Sequence, residues 1–452
     1  MRWSDKQIPK RARPKGGRGV ARWAGTLIAL SLLAAPQPGR AAAAIGPGET
    51  LDLKRCIAVA LENHPGLRAA RSTVRAGESR VGQARAGYYP QITGTGGYSR
   101  TDPIVSGANG RTATTGTLNS TDNYSSSLAL SQNIYDFGRT RSQVNIQSLN
   151  RDAFRSDLAD AQSRIVFDVR QTYWGLLQTG RQLEVAREVV DQFEQHLTRA
   201  RGFFDVGLRP KFDVTKAEVD LSNARLALLS AEKAYRLARV FLNNAMGVPE
   251  APPYGIVDQL SYEPLTVPLE EAIRLAYDRR PDLQAIAVRK GALTESIELA
   301  RKGHYPFLSG SASYGWGGSD FPLDRGWSVG AQLNIPIFSG FATRYEIEEA
   351  QANLAVTAAN ETQLRQQIYQ EVKQAWLGLE ESAERITTAE LSVRQAEENL
   401  ALAKGRYGAG VGSPIEVTDA LVALSNAKTA RISALYDYKT AQASLDKAMG
   451  DR

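Results

Sequence analysis

The side chains best suited to bond-making chemistry are few in this sequence: three histidines, His64, His196 and His304, and one cysteine, Cys56. They are scattered, with no spacing that would gather them around a metal ion, and a single cysteine rules out a disulfide framework. Gly94-Thr95-Gly96-Gly97 falls inside a strand pattern rather than at a strand-to-helix turn, so it does not read as a phosphate loop. No nucleophile elbow is present. What stands out instead is charge at the start of two helices, each following a glycine turn. Ser413-Pro414-Ile415-Glu416 has the form of a capping box, with Ser at the N-cap, Pro at the first helical position and Glu at the third. Asp419 lies beyond that first turn, where capping does not account for it. In the other half the corresponding positions are Asp213, placed to stabilise a helix dipole, and Lys216. No constellation for bond-making chemistry can be assigned to these residues.

The elements that would position these charges belong to a chain of 452 residues, 42% hydrophobic and 23% charged. No apolar run reaches the ~18 residues of a membrane-spanning helix, which excludes a polytopic inner-membrane protein. Residues 1–44 read as a secretory signal: a basic segment from Arg2 to Arg22, an apolar stretch from Ala24 to Ala35, then Ala41-Ala42-Ala43-Ala44 for cleavage. The apolar stretch, about 12 residues, is too short for an anchor. The formal charge of +7 includes nine Lys/Arg and one Asp from this segment, so 46 basic and 47 acidic residues remain without it. A near-neutral mature chain gives no support for nucleic-acid binding. Cys56 sits well past the apolar stretch, which places it on a helix rather than at a lipid-attachment site.

The rest is written twice. Gly207 recurs as Gly410, Val214-Thr215 as Val417-Thr418, Ser222-Asn223-Ala224 as Ser425-Asn426-Ala427, and Ala245-Met246-Gly247 as Ala448-Met449-Gly450, all 203 apart; Tyr173 and Trp376 keep that offset. Earlier in each half the offset is 216, as in Pro65 and Pro281 or Tyr89-Pro90 and Tyr305-Pro306. The first half therefore carries 13 extra residues between Pro90 and its next strand. The reading is a first repeat over 45–247, a Pro-rich linker over 248–268 and a second repeat over 269–452, each ordered helix, two strands, long helix, tight turn, helix.

From Gly138 to Gly202 and from Phe341 to Gly405 there is no proline. Val169, Leu176, Leu183, Val190 and Leu197 recur every seven residues, as do Val372, Leu379, Ile386, Val393 and Leu400. That period predicts a left-handed coiled-coil seam on rods of about 96 Å. The flanking helices, near 51–87 and 213–246, stacked end to end would match one rod in height. Four strands alternate clearly or weakly: Gln91 to Tyr98, the region of Leu128 to Ile134, Leu308 to Trp316, and Trp327 to Phe338. Each has about the length of a tilted transmembrane strand, with polar loops over Thr101 to Asn123 and Gly317 to Gly326. Four strands cannot close a barrel, for which about eight is the practical minimum, and unpaired edges cannot face lipid. Strands that enter a membrane must then be completed by further copies.

The chain resembles the TolC-like outer-membrane efflux proteins over essentially its whole mature length. The matching pieces are Asn63-His64-Pro65-Gly66-Leu67-Arg68-Ala69, Tyr89-Pro90-Gln91-Ile92, the segment Leu128 to Gly138, Pro336-Ile337-Phe338-Ser339-Gly340, and both glycine turns. Their order, spacing and duplication carry the resemblance. It implies a membrane α+β protein in the Gram-negative outer membrane: a homotrimer whose tandem-repeat protomers give four strands each to a 12-stranded barrel, continued by a long periplasmic α-helical barrel. It implies a passive exit duct that docks on a periplasmic membrane-fusion adaptor and an inner-membrane transporter of RND, ABC or MFS type, for drug efflux or type I secretion. The sequence stops at Arg452, soon after the last helix, so any equatorial collar is expected to be small.

The resemblance also assigns residues. Glu416 and Asp419 correspond to acids that line the closed periplasmic aperture, although Glu416 is equally read as a cap. Three copies would make a cation-selective constriction. Asp213 and Tyr407 correspond to an acid and an aromatic that hydrogen-bond to hold the mouth shut, and Lys216 is placed to pair with Asp419. A basic residue of the family's closing network is Gly412 here; Arg209, on the other turn, is the nearest substitute. Gly207, Leu208 and Arg209 with Gly410, Val411, Gly412 and Ser413 would be the tips offered to the adaptor, or simply turn residues. The competing readings are a non-channel trimeric stalk or adhesive protein, which explains the heptads but not the four strands, and a periplasmic enzyme, for which no constellation exists.

Overall fold

The computed structural model describes residues 45–101, 120–264 and 267–451. The expected signal segment and most of the polar loop after Thr101, where the extra length of the first half falls, lie outside the described residues. In the first half β1 (Thr50–Leu51) and α1 (Leu53–Asn63) lead into α2 (Pro65–Arg85), β2 (Gln91–Thr101), β3 (Thr121–Tyr135), α3 (Arg139–Asp205) and α4 (Lys211–Ala245). After β4 (Gly255–Ile256) the order recurs: α5 (Leu269–Arg279), α6 (Pro281–Arg301), β5 (Phe307–Gly318), β6 (Asp324–Asn334), α7 (Ala342–Gly408) and α8 (Pro414–Met449).

The single helix expected over 51–87 is two helices. A proline disfavours α geometry in the residue before it, and His64 and Arg280, which precede Pro65 and Pro281, are extended with ψ of 125° and 123°. The long helices α3 and α7 are 67 residues each, about 100 Å at 1.5 Å per residue. In the upper layer α2 packs on α3, α3 on α6 and α6 on α7; in the lower layer α4 packs on α3, α3 on α8 and α8 on α7. The short helices do stack. Gly247 (φ +72°) closes the α4 end so tightly on the α1–α2 joint that a Cβ there would lie 2.8 Å from the His64 Cα. Gly450 (φ +83°) does the same against the α5–α6 joint, 3.0 Å from the backbone of Arg279 and Arg280.

The heptad side chains form the core: Val169, Leu176, Leu183, Leu197, Val372, Leu379, Ile386, Val393 and Leu400 are all buried. All but Leu183 and Val393 belong to two clusters. The larger gathers α1, α5, Cys56, Tyr254 and Leu260 around the middle of α3 and α7, and the parallel pair β1–β4 ties the linker to the start of the chain. The repeat pair Tyr173 and Trp376 anchors this belt, donating to the Val257 carbonyl at 2.6 Å and the Val267 carbonyl at 2.9 Å. Cys56 is fully buried here, and burial, aided by nearby Asp52, pushes its thiol up to about 12. The smaller cluster lies near the two helix turns.

The strands form one antiparallel sheet in the order β2–β3–β5–β6. Its register separates two faces. On one, Ile92, Leu130, Ala312 and Val329 stand in a row, beside Leu128, Tyr314 and Trp327. On the other, Thr93, Ala129, Ser313 and Ser328 are followed by Thr95, Ser127, Gly315 and Gly326. Aromatic clusters bracket the apolar face: Tyr98, Tyr124 and Phe321 at one end, Tyr135, Phe137 and Tyr305 at the other. From Tyr124 to Tyr135 the strand climbs about 36 Å, or roughly 28 Å across a membrane at a 40° tilt. β6 ends at Asn334 rather than Phe338, because Pro336 has no N–H for a ladder.

Candidate functional site

Both long helices end in tight turns that need glycine: Gly207 and Gly410 have φ of +76° and +79°. Gly412 is required for a different reason, since a Cβ there would lie 2.9 Å from the Tyr407 amide nitrogen. These turns carry the residues singled out by sequence. The Ser413 hydroxyl accepts from the Ile415 N–H at 3.2 Å, and the Ser413 N–H donates to Glu416 at 3.3 Å. Glu416 therefore caps α8, and Arg406 on α7 pairs with it at 3.1 Å. The Ser413 N–H, followed by the Arg406 guanidinium, holds the Glu416 carboxyl below its usual range. Asp419 is exposed on the next turn of α8.

Lys216 pairs with Asp220, one helical turn further along α4, at 2.5 Å, rather than with Asp419. Asp220 is buried and also accepts from the Thr418 hydroxyl at 3.1 Å. This i,i+4 pair costs little chain entropy to form and is available within one helix. Asp213 and Tyr407 are both buried, yet among the described residues the Tyr407 hydroxyl and Asp213 Oδ2 have no hydrogen-bond partner. They are close enough for the carboxylate, after burial, to push the phenol upward. The expected hydrogen bond between them is not formed within the chain.

Arg209 makes the connection between the two turns. Its Nη2 donates to the carbonyls of Gly412 at 3.0 Å and Gly410 at 3.3 Å, and its guanidinium lies over the Tyr407 ring. Tyr407 in turn packs against His196 and Phe203 of α3, with ring centroids 5.4 Å and 5.6 Å apart. His196, Arg406 and Asp220 were not assigned to the turns by sequence. Asp220 was signalled by its four-residue spacing from Lys216; His196 had only its place beside the heptad residue Leu197. Leu208, Val206 and Val411 project at the tips, exposed. Among the described residues no cluster of His, Cys, Asp and Glu could hold a metal ion, and no helix is long and apolar enough to cross a membrane.

A sheet with one apolar, aromatic-bracketed face, mounted on paired helical hairpins of about 100 Å, defines a class of outer-membrane channel that reaches into the periplasm. The chain belongs to the outer membrane efflux protein family, whose pattern it matches over residues 56–248 and 272–451. It is 25% identical over 416 residues to the antibiotic efflux pump outer membrane protein ArpC of Pseudomonas putida, covering 88% of this chain and 82% of that one. It is also 25% identical over 403 residues to the alkaline protease secretion protein AprF of Pseudomonas aeruginosa, covering 86% and 82%. In fold it is similar to CusC, with a TM-score of 0.77 at 21% identity over 90% of this chain and 94% of that one. The family consists of channel proteins rather than enzymes, which leaves the adhesive-stalk reading without support. The protein is an outer-membrane efflux or secretion channel with a periplasmic extension.

Proposed function

We propose that three copies of the chain join into a passive exit duct, their sheets meeting edge to edge as a 12-stranded barrel and their helices continuing it as a tube. The observation that carries this reading is the four-stranded sheet with one apolar face and unpaired edges at β2 and β6. Four strands fall short of a closed barrel, and open edges are not tolerated in lipid. The helical flanks call for the same closure. α4 and α7 lie at opposite sides of the lower layer, and both expose apolar side chains, Leu226, Leu229 and Val240 on one, Leu377, Leu391 and Leu402 on the other. A ring of three would set α7 of each copy against α2 and α4 of the next.

The turns form the periplasmic mouth in this reading. The acids Glu416 and Asp419 face the aperture, with Asp213, Tyr407 and Lys216 behind them in the closing network. The tips Gly207, Leu208 and Arg209 with Gly410, Val411, Gly412 and Ser413 dock the adaptor, which hands over cargo selected by an inner-membrane transporter of RND, ABC or MFS type. The test is direct. Protein purified in detergent should crosslink as a trimer and give stepwise conductance in a planar bilayer; a water-soluble monomer that never conducts overturns the reading.

A further inference from the structure

We propose that His196 makes the mouth acid-sensitive: its imidazole, wedged between the two helical hairpins against Tyr407, keeps the tips packed while neutral and loosens them once protonated. The inference rests on the reading of the turns as the mouth. His196 is 5% exposed and belongs to α3, while the ring it packs against comes from α7. The Tyr407 ring lies at the joint between hairpins, in contact with His196 and Phe203 of α3 and covered by Arg209 from the other turn. A charge placed on the imidazole therefore appears inside the joint that holds α7–α8 to α3–α4.

The groups facing it decide what that charge does. Its own helix brings Arg199; α4 brings Asp213, Lys216 and Asp220; α7 brings Tyr407. From α8 come apolar Val417 and Leu421 and the Thr418 hydroxyl, which donates to Asp220. Two cations oppose two carboxylates, and Asp220 is already engaged by Lys216 and Thr418. The local charges nearly cancel, so the cost of burying an imidazolium prevails and lowers its proton affinity. A base whose folded-state pKa is depressed stabilises the packed state above its ordinary value of 6.5 and ceases to do so as pH falls. Acid thus favours the state in which His196 reaches water, with the tips apart.

Mature protein in planar bilayers, compared at about pH 7.5 and about pH 5.5, should conduct severalfold better in acid. His196→Gln and His196→Phe should remove the response, whereas His64→Gln and His304→Gln should keep it. In the wild type, hydrogen exchange across residues 400–421, corrected for intrinsic rates, should accelerate over the same interval; this holds the proposal to account if the His196 variants fail to assemble. An acid response that persists in His196→Gln, an absent response, or acid closure overturns the role of His196. Arg209→Ala separates this from the duct itself. If that variant conducts at neutral pH while acid does nothing to the wild type, only His196 is wrong; if neither variant nor acid yields current, the mouth reading falls with it.

Discussion

The guanidinium of Arg209 lies 5.4 Å from the centroid of the Tyr407 ring, across the gap between the two helix turns. The same guanidinium donates to two carbonyls of the second turn, so one side chain bolts both tips together. Arg209→Ala removes a cation–π contact and both hydrogen bonds, together about 1–3 kcal/mol of tip packing. The variant should show higher conductance at neutral pH. Arg209→Lys, which lacks the planar fork needed to span ring and carbonyls, should fall between the two.

Glu416 and Asp419 should set ion preference. Charge at a narrow aqueous opening concentrates counter-ions there. Glu416→Gln with Asp419→Asn should shift the bilayer reversal potential in a salt gradient toward zero; an unchanged cation preference would remove both residues from the aperture. Because Glu416 also caps α8, the Asp419→Asn single variant gives the cleaner reading.

The two sheet faces should respond oppositely to charge. Val329 and Ser328 are neighbours on β6 that point to the apolar and the polar face. Val329→Lys should lower membrane assembly, by about 2–4 kcal/mol for a lysine near the bilayer midplane. Ser328→Lys should assemble normally. Heat-modifiable mobility of the membrane fraction on gels distinguishes the two.

The belt anchors should behave as a pair. Tyr173→Phe and Trp376→Phe each leave a linker carbonyl without its donor, at a cost of about 1–3 kcal/mol. Each should lower the thermal midpoint of the detergent-solubilised protein, and the double variant should lose about the sum, because the sites are separate.

Much of this architecture was legible in the residues. The seven-residue spacing from Val169 to Leu197 and from Val372 to Leu400 named the buried stripe, since a helix period survives in any environment that buries one side. The strands announced themselves by alternation, with the end of β6 misjudged because Ile335 and Ile337 kept the rhythm on either side of Pro336. The helix breaks at Pro65 and Pro281 were written in the prolines yet masked by continuous helix-forming sequence on either side. The turns were less legible. The capping box at Ser413 and Glu416 could be read from four residues, but the partner of Lys216 was decided by local spacing, and the reach of Arg209 depends on how two hairpins pack. The parallel pair β1–β4 is two residues long in each strand, too short to carry any pattern.

The glycine joints at Gly247 and Gly450 act as a common datum. Gly207 to Gly247 and Gly410 to Gly450 are both 40 residues, so both hairpins hang equally far below their joints and finish flush. Deleting one residue from α4 alone would raise its tip by about 1.5 Å and swing it by about 100°, carrying Arg209 away from the carbonyls it grips. The two copies of the repeat are thus bound to change length together, in step from joint to tip.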